Sequence, residues 1–480
     1  MPFSFWQNYS NSFATVGYTF LHTLLLFFGI KRLGGSMTEK IFHLKQNKTT
    51  IKTEIIAGIT TFLAVSYIMF VNPQILSQSG IDYQSTFIVT IVSSAIATLL
   101  TGFIANMPFA LAPGMGINAF FTFTVCLTLG FSWQEALFSV FIAGLIFFII
   151  SITKIRQKII KAIPNSLKNA VGVGIGFFIT FIGLTNAGII VDDQATLIAL
   201  GDIKQPLTLI AILGIFIAII FTLKNKSLAL CYTMLITVVI CLITQFLFKI
   251  DLGIKPISNI VSIPPSMKPT FMAAFNVDVW KLFSNFNFWV VVFSFIFVDL
   301  FDTTGMLLSV SRKADFILPD GTIKNGNKVM ACDAGSTIIG SVLGTSPVTA
   351  FVESLSGIAA GGRTGLTAVV TGICFVLSMF FFPVVSFLSP IMNAITTPAL
   401  VLVGIMMISN IVDIDFTDFK NSASSFLTII ITLAAYSISE GIAVGIITYV
   451  ICSIFNKEAR SIPVLLYILC GFFIIHYLLL

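Results

Sequence analysis

Apolar runs long enough to cross a lipid bilayer follow one another from residue 55 to residue 455, parted by short polar segments. A hydrocarbon core takes about 20 helical residues to span, and inside it every backbone N–H and C=O must find a partner within the protein. A chain built this way can fold only as a set of packed membrane helices. Charged residues make up 10% of the sequence and apolar residues 57%, with Phe alone at 49 positions. A soluble protein carries roughly 25% charge and could not clothe so much apolar surface. A cytosolic enzyme, a nucleic-acid binder and a disordered chain are therefore excluded. The net charge of +6 fits basic cytoplasmic loops.

Spans are expected near 55–78, 86–107, 109–127, 134–152, 169–190, 206–222 and 228–248, and after a mixed connector near 286–310, 329–345, 347–361, 365–387, 390–410, 423–437 and 439–455. A last apolar stretch, 461–480, either spans or lies at the interface. With the segment before 55 inside, Lys154, Arg156, Lys158, Lys161, Lys168, Lys224, Lys226, Arg312, Lys313, Lys324 and Lys328 are cytoplasmic, whereas Asp82, Asp192 and Asp193 are external. The acidic loop of Asp413, Asp415 and Asp418 breaks this pattern and falls inside. Seven spans per half, an odd number, inverts the second half relative to the first. At the other end, Met37 reads as the natural start and residues 1–36 as an N-terminal extension.

The halves resemble each other weakly. Gly102-Phe-Ile-Ala-Asn-Met-Pro108 leads into Ala112-Pro-Gly-Met-Gly-Ile-Asn118, and Gly340-Ser-Val-Leu-Gly-Thr-Ser-Pro347 leads into Glu353-Ser-Leu-Ser-Gly357. Interrupted, Gly/Pro-rich segments at matching places in two halves point to a transporter's midplane site. Ionisable residues inside spans are costly, so each needs a reason. They are Asp299, Asp302, Asp333 and Glu353, with Glu440 at the start of a late span and Arg363 at the end of another. Asp299 and Asp302 are three residues apart and share a helix face or adjoining faces. Glu353 stands where a short helix begins after a break. Carboxylates accept hydrogen bonds and suit a ligand rich in N–H donors. Burial favours the neutral form of a carboxyl, so such acids are also candidates to carry a proton. Phe120 lies in the first break and is a candidate to stack on a ligand.

Other patterns carry no chemistry. The seven cysteines lie within apolar runs without a CxxC pair, as small core residues do. His22, His43 and His476 fall outside the central spans, so a histidine-based zinc site or proton relay is not expected there. Gly357-Ile-Ala-Ala-Gly-Gly-Arg-Thr364 has phosphate-loop spacing, but Arg363 replaces the lysine and no buried strand precedes it. Gly172-Val-Gly-Ile-Gly176 reads as close helix packing. No metal site or cofactor is expected.

Several motifs together resemble the AzgA-like purine permeases of the nucleobase–ascorbate transporter (nucleobase–cation symporter-2) superfamily. They are Thr60-Thr-Phe-Leu-Ala-Val-Ser-Tyr-Ile-Met-Phe-Val-Asn-Pro73, Ala112-Pro-Gly-Met-Gly-Ile-Asn-Ala-Phe-Phe121, Phe297-Val-Asp-Leu-Phe-Asp-Thr-Thr-Gly305, Thr345-Ser-Pro-Val-Thr-Ala-Phe-Val-Glu-Ser354 and Gly357-Ile-Ala-Ala-Gly-Gly-Arg-Thr-Gly365. The resemblance covers about residues 37–460. It implies an all-α membrane protein of fourteen spans in two inverted repeats of seven, with short strands and half-helices in spans 3 and 10. The core domain would comprise 37–163 and 286–388, and the gate domain 164–248 and 389–456. Residues 249–285 would connect the halves, and 457–480 form an extra C-terminal segment.

The resemblance further implies a bacterial inner-membrane symporter importing a purine base with a proton, by an elevator-like movement of core against gate. Glu353 and Asp302 would meet the base, with Phe120, Ala119, Ser354 and Tyr67 around it. Asp299, Asp333 and Asp302 would support the site or carry the proton. Tyr67 and Ser66 stand where the wider superfamily has a Gln-His pair. Guanine and hypoxanthine are the expected substrates and adenine the runner-up; a homodimer stays open. An intramembrane aspartyl enzyme lacks its Gly-x-Gly-Asp pattern. A channel would want rings of acids or carbonyls, and a sulfate transporter positive charge in the site.

Overall fold

The computed structural model describes residues 35–153, 163–224, 228–254, 259–314, 316–318 and 322–479. The expected N-terminal extension therefore lies outside the described residues, apart from its last two positions. So do Lys154, Arg156, Lys158, Lys161, Lys226 and the side chains of Arg312 and Lys313.

Helix starts are written in the loops. Thr50, Asp82, Asp418 and Ser437 each accept a backbone N–H from the first turn of the helix that follows, and Ser132 with Glu135 makes a reciprocal capping box. The order is α1 (Gly35–Phe42), α2 (Ile51–Val65), α3 (Ile68–Leu76), α4 (Tyr83–Leu100), β1 (Leu111–Pro113), α5 (Met115–Ala119), α6 (Trp133–Ile152), α7 (Asn165–Asn186), β2 (Ile190–Asp193), β3 (Leu197–Leu200), α8 (Pro206–Leu223) and α9 (Ala229–Phe246). After the connector come α10 (Val279–Ser284), α11 (Phe286–Lys313), α12 (Gly326–Leu343), β4 (Val348–Ala350), α13 (Ser354–Ala359), α14 (Gly365–Ser378), α15 (Phe382–Leu388), α16 (Met392–Ile408), α17 (Phe419–Ala434), α18 (Ile438–Phe455) and α19 (Val464–Leu479). These bounds fall within a few residues of the expected apolar runs, and the final stretch is helical.

Among the described residues, nine helical stretches are long and apolar enough to cross a bilayer, one of them the 49-residue run Gly365–Asp413 that holds α14, α15 and α16; Met115–Thr128 and Val464–Ile475 are shorter. The fourteen expected spans are not matched one for one: the run Gly365–Asp413 joins helices that were expected as separate spans, and other expected spans are shorter or less apolar. α12 carries Lys328 and Asp333, α13 spans only Ser354–Ala359, and α17 only Phe419–Ala434. A feature the sequence did not announce is the antiparallel hairpin β2–β3, pairing Ile190 with Leu200 and Asp193 with Leu197. Its turn is fastened by Asp193 Oδ1, which accepts the N–H groups of Ala195 and Thr196.

The helices pack in two groups. In one, α2 lies on α13 and α14, α4 on α3 and α14, and α6 on α11 and α12; in the other, α7 lies on α16 and α17, α8 on α16 and α9, and α17 on α18. Without a hydrophobic force between helices in lipid, small residues that let backbones approach set such contacts. A Cβ on Gly176 would lie 2.9 Å from Met407 and 3.0 Å from Gly404 O, and one on Gly174 3.1 Å from Thr432, so the glycine run of α7 is a packing surface. A Cβ on Gly404 would sit 1.8 Å from Thr180 Oγ1 and 2.6 Å from Gly176 O. Gly404→Val is therefore expected to separate α7 from α16, at a cost of about 3 kcal/mol or more. The check is the yield of monodisperse protein extracted from membranes, which should fall several-fold relative to wild type.

Candidate functional site

Two chain breaks meet at the centre of the first helix group. β1 and β4 pair antiparallel, Leu111 with Ala350, Ala112 with Thr349 and Pro113 with Val348, and all six residues are buried. Further bonds extend the pairing at both ends: Gly114 N–H to Pro347 O at 3.1 Å and Phe351 N–H to Ala110 O at 2.9 Å. Backbone that leaves the helix at membrane depth must be covered by protein, and here hydroxyls help to do it. Thr98 Oγ1 accepts Leu111 N–H and donates to Leu111 O, each at 3.0 Å, while Thr337 Oγ1 reaches Val348 O at 3.1 Å. Pro108, Pro113 and Pro347 interrupt the helices because proline supplies no N–H for a helical bond. Beyond β1, α5 runs on as a wide π-type stretch, Phe120–Thr128; beyond β4 the chain enters the short α13.

The first span runs on as one helical stretch, Ile51–Ser79, but tightens at Ser66 and Tyr67: their backbone angles stay helical while Met69 N–H bonds Ser66 O at 3.2 Å and Phe70 N–H bonds Tyr67 O at 3.0 Å, three residues back, ahead of Pro73. The Tyr67 hydroxyl donates to Glu353 Oε1 at 2.8 Å, with Tyr67 1% and Glu353 9% exposed. The other acids also have hydroxyl partners. Thr349 Oγ1, from β4, donates to Asp302 at 3.3 Å and Thr303 Oγ1 to Asp333 at 2.8 Å, while Thr337 Oγ1 lies 3.3 Å from Asp299 Oδ2, its single proton shared between that oxygen and Val348 O. Asp299 and Asp333 are buried and Asp302 half-buried. Asp299 interacts electrostatically with both Asp333 and Asp302, and Glu353 with Asp302, so the four acids form one connected group.

The expected acids and Tyr67 thus gather at the strand pair, while the other expected residues have surroundings of their own. Glu353, Asp302 and Tyr67 adjoin the strand pair. Phe120 is fully buried, edge-to-face on Phe295 of α11 at 4.9 Å, and Ala119 is buried beside it. Ser354 is engaged by the backbone: its Oγ accepts Ala110 N–H at 3.0 Å. Glu440 stands apart, hydrogen-bonded to Tyr477 of α19. Arg363 closes the end of α13, donating to Ile358 O at 2.6 Å and Gly362 O at 2.8 Å, which disposes of the phosphate-loop spacing.

Three polar residues carry more than sequence reasoning assigned them. Glu54, fully buried, accepts the N–H groups of Arg363, Thr364 and Thr367 and the Thr367 hydroxyl, and so caps α14 from another span. Asn72 donates to Thr90 at 2.7 Å and Thr345 at 3.1 Å, tying span 1 to the loop before β4. Asn118 of α5 accepts Ser346 Oγ–H at 2.5 Å, while its Nδ2 is buried without a partner. Asn72 and Asn118 both lie inside the quoted motifs. Glu54 gave a weaker signal, a single acid at the edge of an apolar run.

A bundle with irregular backbone at membrane depth, lined by acids that face hydroxyls, defines a multi-pass membrane transporter. The comparisons agree: the Permease family signature (Xan_ur_permease) matches residues 52–444. The chain belongs to this family, the nucleobase–ascorbate transporters. It is 43% identical over 440 residues to a putative permease of Methanocaldococcus jannaschii, covering 92% of this chain and 98% of that one. It is 39% identical over 438 residues to the guanine/hypoxanthine permease PbuO of Bacillus subtilis (91% and 99% covered). To the adenine permease AdeQ of Escherichia coli it is 37% identical over 434 residues (90% and 94% covered). Among solved structures, the transmembrane domain of the cyanobacterial bicarbonate transporter BicA matches with a TM-score of 0.61 at 14% identity, covering 82% of this chain and 97% of that one. SLC26A9 matches at 0.56, also 14% identical, with 85% and 67% covered. These two likenesses concern the fold.

Proposed function

We propose that the protein imports purine nucleobases, guanine and hypoxanthine first, together with a proton. The observation that carries this reading is Glu353, an acid largely shielded from water at the junction of the strand pair, with Asp302 behind it. A purine presents N–H donors on a flat edge, and a carboxylate accepts them at close range. The same acids would repel bicarbonate or sulfate, so likeness of fold to anion transporters does not carry over to substrate. The curated relatives named for guanine/hypoxanthine and for adenine support the purine class. A proton entering with the base offsets negative charge in the acid group as the site crosses the bilayer.

The movement is read as the α2–α6 and α11–α14 group sliding against the α7–α9 and α16–α18 group, within fourteen spans arranged as two inverted sevens. Side-chain contacts between the groups at the outer end support this: Gln74 bonds with Asn393 and, at 2.9 Å, Thr396, and Thr124 bonds with Tyr436 O at 3.0 Å. The paired roles of Thr98 and Thr337 on the two strands are what such a repeat requires. The test is uptake of labelled guanine, hypoxanthine, adenine, xanthine and uracil into cells without their own permeases. Guanine and hypoxanthine are expected to accumulate, and a protonophore to reduce that accumulation by about tenfold. Accumulation indifferent to the protonophore would reject proton coupling, and uptake of uracil alone would reject the purine class.

A further inference from the structure

Resting on the purine reading, we propose that Tyr67 is a positioning residue for Glu353 and sets which edge of a base that acid reads, favouring one N–H donor over two. Tyr67 sits at the tightened turn of the first span, and its ring leans on Phe351 at 6.4 Å and 51°, one residue beyond the strand β4. A residue 1% exposed and gripped in this way holds its hydroxyl in place. That hydroxyl engages Glu353 Oε1 at 2.8 Å.

The consequence follows from the geometry of a carboxylate. A base with N1–H alone on this edge, as hypoxanthine has, is met by Oε2 with the phenol undisturbed. A base with N1–H and an adjacent amino group, as guanine has, approaches both oxygens side by side. Its second N–H must share Oε1 with the phenol or displace it. The carboxylate that looks suited to two donors is thus partly occupied by the protein itself. Neither the acid nor the tyrosine shows this alone, because they are 286 positions apart in the chain.

The experiment compares unlabelled guanine and hypoxanthine as inhibitors of labelled hypoxanthine uptake in permease-deficient cells, for wild type and Tyr67→Phe. The ratio of the two inhibition constants is expected to move towards guanine by about tenfold in Tyr67→Phe. A role in folding alone would lower the amount of protein and leave the ratio where it was. Replacing Tyr67 by 3,5-difluorotyrosine, a stronger donor of nearly the same shape, should move the ratio the opposite way; this variant decides the matter should Tyr67→Phe fail to reach the membrane. An unchanged ratio in the variant that folds, or parallel loss of both bases, overturns the proposal. Wild-type protein that takes up neither base overturns the guanine/hypoxanthine reading with it, and is told apart because it fails before any substitution is made.

Discussion

Replacing Glu353 by Gln is expected to lower purine uptake by about a hundredfold or more while the protein stays folded in the membrane. The two side chains have nearly the same shape, and the amide oxygen can still accept the Tyr67 hydroxyl, so the packing around β4 and α13 has no reason to change. What changes is the partner offered to the ligand. The carboxylate presents two acceptor oxygens and the amide one acceptor oxygen and an NH2 group with two donors, so an N–H of the base would meet an N–H of the protein. Loss of a hydrogen bond to a charged group, and of a site for negative charge, makes this substitution costlier for binding than for folding. The measurement is initial-rate uptake of labelled guanine and hypoxanthine, normalised to protein in the membrane. Uptake by Glu353→Gln at the wild-type rate would remove this acid from the site.

The second large effect is on stability and falls on a residue remote from the strand pair. Glu54→Leu is expected to destabilise the protein by about 3 kcal/mol or more, because the N–H groups of Arg363 and Thr364 and the Thr367 hydroxyl lose a carboxylate acceptor together, and Thr367 N–H keeps only its bond to Thr364 O. The distances are 2.9 Å to Arg363 N, 3.3 Å to Thr364 N, 3.2 Å to Thr367 N and 2.6 Å to Thr367 Oγ1. Thr367 N–H lies in the first turn of α14, where a helix start leaves donors short of partners, and the negative charge sits where the dipole of α14 favours it. The same turn is wedged against the π-type stretch Thr101–Ala105 that continues α4: a Cβ on Gly365 would lie 2.0 Å from Gly102 O. With no room to refold locally, the loss has to be borne globally. Glu54→Gln, which keeps one acceptor, should fall between. The midpoint of thermal unfolding in detergent reports the effect, and a midpoint for Glu54→Leu equal to wild type would show that water or another group satisfies those donors.

Glu353 and Glu54 also mark how far the sequence could be read. Glu353 was legible because it is an acid within an apolar run, next to Pro347 and a small-residue stretch, in a motif with family likeness. Its neighbours Asp299, Asp302 and Asp333 were legible on the same ground: a charge in lipid is costly enough to need a purpose. Glu54 sits at the edge of its run, where an acid looks like an ordinary helix start. Its partners are more than 300 positions later, and nothing in the spacing of a chain records such a distance. The helices themselves were legible to within a few residues, because apolar length and capping residues are local properties. The hairpin β2–β3 was not, since it lies in a loop where no bilayer forces the backbone to declare itself.

The sequence alone therefore determined that this chain lives in a membrane, where its helices run and which acids had to be buried, because burying charge in oil is penalised wherever the partner comes from. Tertiary structure decided what those acids face. Pairing Leu111–Pro113 with Val348–Ala350, setting the Tyr67 hydroxyl on Glu353 and seating Thr349 and Thr337 on the aspartates all depend on contacts between segments far apart in the chain. Hydrogen bonds act over about 3 Å, and only the fold brings such segments that close.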